Sequence, residues 1–298
     1  MADERWFSET LTPGVRLSFE ARRVLRHERT DNQELALFEN DVFGRVLLLD
    51  GVVQVTTADE FIYHEMMAHV PLLAHGEPRD VLIIGGGDCG LAEEVLKHSS
   101  IRRVLQVEID PSVAELARTH FGEINAAAFA DPRFELRIGD GAAFVRESDE
   151  RFDVVLVDST DPIGPGAVLF TREFYAGVRG RLNPGGILVT QNGIPFLQTR
   201  EFADAFANLG ATFRHVACYV ISVPTYFGGH LALGWSSDDV APLAVSTEAL
   251  ETRFAAAGIQ TRYYSPRHHL AAFAAPRYIE QALESAVEQG RKAGLGDP

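Results

Sequence analysis

Between residues 14 and 55, short apolar runs alternate with turn signals. Arg16-Leu17-Ser18-Phe19-Glu20 alternates and Thr30-Asp31-Asn32 breaks the pattern. Glu34-Leu35-Ala36-Leu37-Phe38 follows, and Glu39-Asn40-Asp41 breaks it again. Val46-Leu47-Leu48-Leu49 then runs into Asp50-Gly51, a strong hairpin signal, before Val52-Val53-Gln54-Val55. The pattern predicts an antiparallel unit of four to six strands, too small to stand alone and so expected to pack on the next domain or on a second subunit. From Asp59 the apolar spacing becomes helical as far as about residue 74, with Pro71 expected to kink or loosen the last turns.

From Asp80 the rhythm is strand, helix, strand. Val81-Leu82-Ile83-Ile84, residues 103–107, 134–138, 152–157 and 187–190 read as strands. Residues 90–98, 111–121 and 172–182 read as helices between them. Asp110 is placed to cap the second of these helices and Pro111 to open it. Buried strands that alternate with helices imply a mostly parallel sheet covered on both faces. Further helices are expected near 199–209, 247–257 and 277–288 and strands near 213–220 and 230–235, with residues 292–298 frayed. The change of rhythm at His75-Gly76-Glu77-Pro78 divides the chain into an N-terminal β unit with its linking helix, 1–75, and an α/β domain, 76–298.

Charge narrows the function. The 298 residues carry 27 Lys and Arg against 42 Asp and Glu, a net charge of -15, which disfavours a nucleic-acid surface and suits a cationic ligand. Cys89 and Cys218 are too few and too far apart for a disulfide framework or a metal cluster. Neither a basic-apolar leader nor a run of about 18 apolar residues is seen, so a reducing, cytoplasmic setting without membrane contact is expected.

Ligands of an open α/β sheet lie beyond the carboxyl ends of its strands, and three of those ends carry polar chemistry. Gly85-Gly86-Gly87 lets backbone approach a ligand before a helix N-terminus, although such a turn is equally a plain strand-to-helix connection. Glu108, 23 residues after Gly85, has the spacing of a carboxylate that accepts ribose hydroxyls. Asp140-Gly141 ends a third strand, where Asp140 either receives an adenine amino group or caps the next helix. Asp88 would repel a pyrophosphate but attract a sulfonium ligand, so the pattern favours an S-adenosyl compound over a dinucleotide. Asp158 and Asp161, three apart on a Pro- and Gly-rich loop, add negative charge that disfavours a ligand carboxylate and welcomes a bare ammonium. This points to decarboxylated S-adenosylmethionine as donor, with Asp158 taking the proton of an attacking amine and Asp161 holding that acceptor. Tyr63 and Tyr226 are candidates to line a channel for a methylene chain, with a core role as the alternative for Tyr63. His64-Glu65 lacks a metal-binding spacing, His268-His269 reads as a polar helix start, and Asp88 opposes a catalytic thiolate at Cys89.

Over nearly its whole length the chain resembles the spermidine synthase family of aminopropyltransferases, and most of all its enterobacterial type. The matching stretches include Leu49-Asp50-Gly51-Val52-Val53-Gln54, Asp59-Glu60-Phe61-Ile62-Tyr63-His64-Glu65-Met66 and Ile84-Gly85-Gly86-Gly87-Asp88. They continue with Val107-Glu108-Ile109-Asp110, Asp158-Ser159-Thr160-Asp161-Pro162-Ile163-Gly164-Pro165, Gln191-Asn192-Gly193 and Pro224-Thr225-Tyr226. The resemblance implies a Rossmann-like, methyltransferase-type domain behind a small antiparallel β domain. It implies transfer of an aminopropyl group from decarboxylated S-adenosylmethionine, a co-substrate, to putrescine, with no cofactor or metal, in a homodimer or homotetramer. It places the base on Asp158 and the donor on Gln33, Leu49, Gln54, Gly85, Asp88, Glu108, Ile109, Asp140 and Gly141. It places the acceptor on Trp6, Tyr63, His64, Asp161 and Tyr226. Cys89, Glu93 and Ala58 depart from the family pattern, and Cys89 adds bulk where close backbone approach is expected. Cadaverine, agmatine and spermidine stay open as acceptors, and a small-molecule methyltransferase or a non-catalytic polyamine-binding protein are the rival readings.

Overall fold

The structure, a computed structural model, describes residues 5–30, 32–162 and 164–294. It begins with two strands, β1 (Trp6–Thr12) and β2 (Val15–Glu20), paired antiparallel in a sheet of their own. Strands β3 (Arg23–Arg29), β4 (Glu34–Asn40), β5 (Gly44–Leu49) and β6 (Val52–Thr56) form a second sheet in sequence order. Successive side chains of a strand point to opposite faces, and both faces of this sheet are covered. Leu35, Leu37, Leu47 and Leu49 pack on Val113, Leu116 and Phe121 of the large domain, while Ala36, Phe38, Val46 and Leu48 join Phe19 from the hairpin side. Two of the six strands escape an apolar-run reading. β3 is an edge strand with mostly exposed polar side chains, and β1 precedes the first turn signal.

The linking helix α1 (Glu60–His75) runs through Pro71 to the expected end, and its residues 62–74 are all buried. Strands β7 (Asp80–Gly85), β8 (Arg103–Glu108), β9 (Phe134–Ile138), β10 (Phe152–Asp158), β11 (Leu182–Gln191), β12 (His215–Ile221) and β13 (Leu231–Ser237) make one sheet in the order β12-β13-β11-β10-β7-β8-β9. The five strands from β9 to β11 are parallel, while β13 and β12 add antiparallel pairs at one edge. Helices cover both faces, as continuous apolar strands require. Val81 and Ile83 pack with α1 and α2 (Gly90–Leu96), while Leu82 and Ile84 face α5 (Gly141–Glu147), α6 (Arg172–Arg181), α7 (Thr199–Thr212) and α10 (Arg277–Gly294).

Helix α3 (Pro111–His120) starts as expected: Pro111 occupies its first position and the Asp110 carboxylate accepts from the Ser112 N–H at 2.9 Å. Helix α4 (Gly122–Ala130) was not expected, because Ala-rich residues leave it without an apolar stripe and Gly122 reads as a terminator. Helices α8 (Thr247–Ala257) and α9 (Pro266–Ala272) complete the covering layers, and His268 and His269 lie in the first turn of α9. The last helix passes the expected end at residue 288. Gly290 lies so close to α7 that a Cβ there would sit 1.9 Å from the Ala207 carbonyl oxygen, so this glycine serves helix contact rather than termination. Residues 292–294 are therefore helical, and 295–298 lie outside the described residues. No described helix is long and apolar enough to cross a membrane.

Candidate active site

Strand β7 is flanked by β8 and β10, with chain connections leaving in opposite senses on its two sides, and this switch point opens a crevice beyond the strand ends. A cavity of about 360 Å³ fills it. The Gly85-Gly86 turn exists because Asp158, at the end of β10, lies directly against it. Both glycines have positive φ, and a Cβ would stand 2.1 Å from the Asp158 carbonyl oxygen at Gly85 and 2.7 Å from Asp158 Oδ2 at Gly86. The small sheet, seated on α3 and α4, brings Gln33, Leu49 and Gln54 over the same opening.

Asp158 Oδ1 accepts the Tyr63 hydroxyl at 2.8 Å, while its Oδ2 is buried without a hydrogen-bond partner among the described residues. Burial raises the Asp158 pKa to about 6, helped by the charge of Asp88 and opposed by His64 and the Tyr63 hydroxyl. A buried carboxylate with one free oxygen and a pKa near neutrality is suited to accept a proton. Burial likewise raises Glu108 to about 7, against the Asp110 N–H that Oε1 accepts at 2.8 Å. Asp161 is also pushed up by burial, with the Gln198 and Gln191 amides opposing. Burial and the Asp158 charge hold Tyr63 and Tyr226 well above the ordinary phenol value, so both remain hydrogen-bond donors.

Of the residues picked from the sequence, Asp158, Gln33, Leu49, Gln54, Gly85, Asp88, Glu108, Ile109, Asp140, Gly141, Tyr63, Asp161 and Tyr226 line this one cavity. The capping reading of Asp140 holds, since its Oδ1 accepts from the Ala142 and Ala143 N–H groups at the start of α5, and the residue also borders the cavity. Two residues lie elsewhere. Trp6 is 51% exposed on the outer face of β1 and is not part of the lining. The reason is register: strand residues three apart face opposite ways, and the inward position of β1 belongs to Glu9. His64 is buried behind Asp88, between it and Glu60, rather than at the cavity wall.

Glu9 is the residue that sequence reasoning missed. It is 4% exposed, borders the cavity, and accepts the Val53 N–H at 3.2 Å. Burial raises it to about 7, with the charge of Asp161 adding to the shift. The signal was available in Phe7-Ser8-Glu9-Thr10-Leu11, which places a carboxylate in the inward register between two apolar residues.

The departures at Cys89 and Glu93 do not enter the cavity. Cys89 adopts a left-handed conformation (φ 62°) that turns its buried side chain under the glycine turn, with Sγ 3.6 Å from the Gly87 carbonyl. Burial and the Asp88 charge keep it a thiol. Glu93 accepts the Ala127 N–H at 3.0 Å and so ties α2 to α4. Among the described residues no group of three or more His, Cys, Asp or Glu is placed to hold a metal ion.

Residues 60–245 match the family described as the spermine/spermidine synthase domain, and residues 5–57 match the spermidine synthase tetramerisation domain. The chain is a member of the spermidine synthase family. Its relatives include the polyamine aminopropyltransferases of Escherichia fergusonii, 49% identical, and Shigella sonnei, 48% identical. Each comparison spans 96% of this chain and 99% of the relative. A solved spermidine synthase in complex with the transition-state analogue AdoDATO superposes with a TM-score of 0.90 at 35% identity, over 95% of this chain and 96% of that one. The spermidine synthase of Thermotoga maritima gives 0.87 at 33% identity, over 95% of both chains. The family's fold, a Rossmann-like domain behind an N-terminal antiparallel β region, is thus the fold of this chain.

Proposed function

We propose that this chain transfers the aminopropyl group of decarboxylated S-adenosylmethionine to putrescine, releasing methylthioadenosine and spermidine. One observation carries the reading: among the described residues, the ionisable ones lining the cavity, tyrosines aside, are all acidic, Glu9, Asp50, Asp88, Glu108, Asp140, Asp158 and Asp161, without a Lys or Arg among them. Such a wall attracts two cationic substrates and repels the carboxylate of ordinary S-adenosylmethionine. Glu108 takes the ribose hydroxyls, Asp140 and Ile109 the adenine, and Asp88 with Asp158 the donor ammonium. Gln33, Leu49 and Gln54 border the donor, with Gly85 and Gly141 allowing it to approach the backbone.

The acceptor chain lies along Tyr63 and Tyr226, whose rings meet edge-on at 6.3 Å. Asp161 and Glu9 hold its distal ammonium. The other nitrogen attacks the carbon beside the sulfonium, the C–S bond breaks as the new C–N bond forms, and the departing proton goes to Asp158. The relatives' name, polyamine aminopropyltransferase, and the AdoDATO complex of a structural neighbour support the assignment. Two units, 1–75 and 76–298, and assembly into a dimer or tetramer belong to the same proposal, supported by the match of residues 5–57 to a tetramerisation domain.

Calorimetry with the two donors tests the charge argument. Decarboxylated S-adenosylmethionine should bind at least about a hundredfold more tightly than the ordinary form, since close like charges cost several kcal/mol. Tighter binding of the ordinary form would favour a methyltransferase.

A further inference from the structure

Two glutamine side chains meet the turn after β11, and the amide oxygen of each is held by its backbone. The Gly193 N–H donates to Gln191 Oε1 at 3.1 Å, and the next N–H, that of Ile194, donates to Gln198 Oε1 at 2.7 Å. A backbone N–H can only donate, so it fixes which end of each amide is oxygen and leaves the NH2 group for other partners. Both residues border the cavity. The chain is shaped around Gln198 in particular. Gly193 has a φ of 69°, and a Cβ there would overlap Gln198 Oε1 and stand 3.0 Å from its Cδ. Leu197 packs so closely on Gly228 that a Cβ at that glycine would stand 2.6 Å from its Cδ1, which seats the turn that carries Gln198. Gln198 is 8% exposed and stands at the N-cap of α7, yet its side chain makes no capping hydrogen bond. Helix capping, for which Ser, Thr, Asp or Asn serve better, therefore does not account for a glutamine here.

We propose that Gln198 is a positioning residue for the acceptor: with its oxygen locked to the Ile194 N–H, its NH2 group holds Asp161 ionised and oriented without placing a positive charge in the acceptor's path. A Lys or Arg would also hold the carboxylate but would repel the ammonium that Asp161 has to receive. A neutral amide favours the charged carboxylate through hydrogen bonding alone. The titratable groups around Asp161 are Glu9 from β1, Glu201 from α7 and, three residues back on its own loop, Asp158. All three are carboxylates and disfavour a further charge. Burial raises the Asp161 pKa most, Glu201 adds to the rise, and the Gln198 and Gln191 amides oppose it. Gln198 thus acts on the acceptor through Asp161.

The place of Asp161 at the acceptor rests on the proposed transfer reaction; the contact between Gln198 and Asp161 does not, so two measurements separate them. In side-chain amide NMR of the ligand-free full-length protein, the Gln198 NH2 signal, assigned by its loss in the isosteric Gln198→Glu, should shift in an acid titration, and that shift should vanish in Asp161→Asn. A Gln198 signal indifferent to Asp161 overturns the proposal. In turnover, Gln198→Met should move the acidic limb of kcat/KM for putrescine upward by about one pH unit, so that the putrescine KM at pH 6 rises up to about tenfold and the rise fades by pH 8.5. Affinity for methylthioadenosine should stay within about twofold. In the Asp161→Asn background, Gln198→Met should add less than about twofold, because the group it acts through is gone. A loss equal at every pH, or one that adds in full to Asp161→Asn, marks a merely structural contact and overturns the proposal. Absence of turnover in the unaltered enzyme would instead refute the transfer reaction and leave the NMR titration to decide the contact.

Discussion

Asp158 must be ionised to act as a base, yet burial and a second carboxylate oppose its charge. With its pKa raised from 3.8 to about 6, the sign of the stability effect follows from linkage: the folded state holds the proton more tightly than the unfolded chain. The penalty is absent below the unfolded value, grows as pH rises through the interval, and is complete above about 6, at roughly 3 kcal/mol at most. Asp158→Asn should therefore melt higher than the unaltered protein at neutral pH in calorimetry, while losing turnover by about a thousandfold and still binding methylthioadenosine. The same ionisation predicts that kcat/KM of the unaltered enzyme falls below about pH 6, as the protonated base can no longer accept a proton; a flat profile down to pH 5 would remove Asp158 from that role. Most of these site residues were legible in the sequence because strand ends and turns announce themselves by glycine and carboxylate spacing. Glu9 carries a local signal in its alternation with Phe7 and Leu11, but which face of β1 turns inward follows only from pairing with β2.

At the scale of elements, the site depends on contacts between segments far apart in sequence. The Asp59 carboxylate precedes α1 but does not cap it. It accepts from Thr56 at 2.6 Å, from the Thr225 hydroxyl at 2.8 Å and from the Thr225 N–H at 3.0 Å. This joins the end of β6 to the segment carrying Tyr226, whose hydroxyl donates to the Gln54 carbonyl. Asp59→Ala should cost about 2–4 kcal/mol in chemical denaturation, since it leaves buried donors unpaired, and should raise the acceptor KM more than the donor KM. Sequence periodicity predicts α1 and the alternation of β7 to β11 well because their apolar faces follow simple periods. It is silent on β3, which faces solvent, and on α4, whose alanines leave no stripe. Pairing and helix contact, not local pattern, determine both.

For the whole molecule, the surplus of acidic residues, net -15, and the acidic wall of the cavity act in one direction. They favour polycations and disfavour ligands bearing carboxylates or phosphates. The small sheet contributes through position: its Leu35, Leu37, Leu47 and Leu49 grip α3 and α4, and that seat carries Gln33, Leu49 and Gln54 to the cavity rim. The most direct test of aminopropyl transfer incubates the purified protein with decarboxylated S-adenosylmethionine and, separately, putrescine, cadaverine, agmatine and spermidine, following methylthioadenosine and the amine product by mass spectrometry. The account predicts stoichiometric methylthioadenosine and spermidine, with putrescine the preferred acceptor. Methylthioadenosine formation with none of the four amines would contradict it.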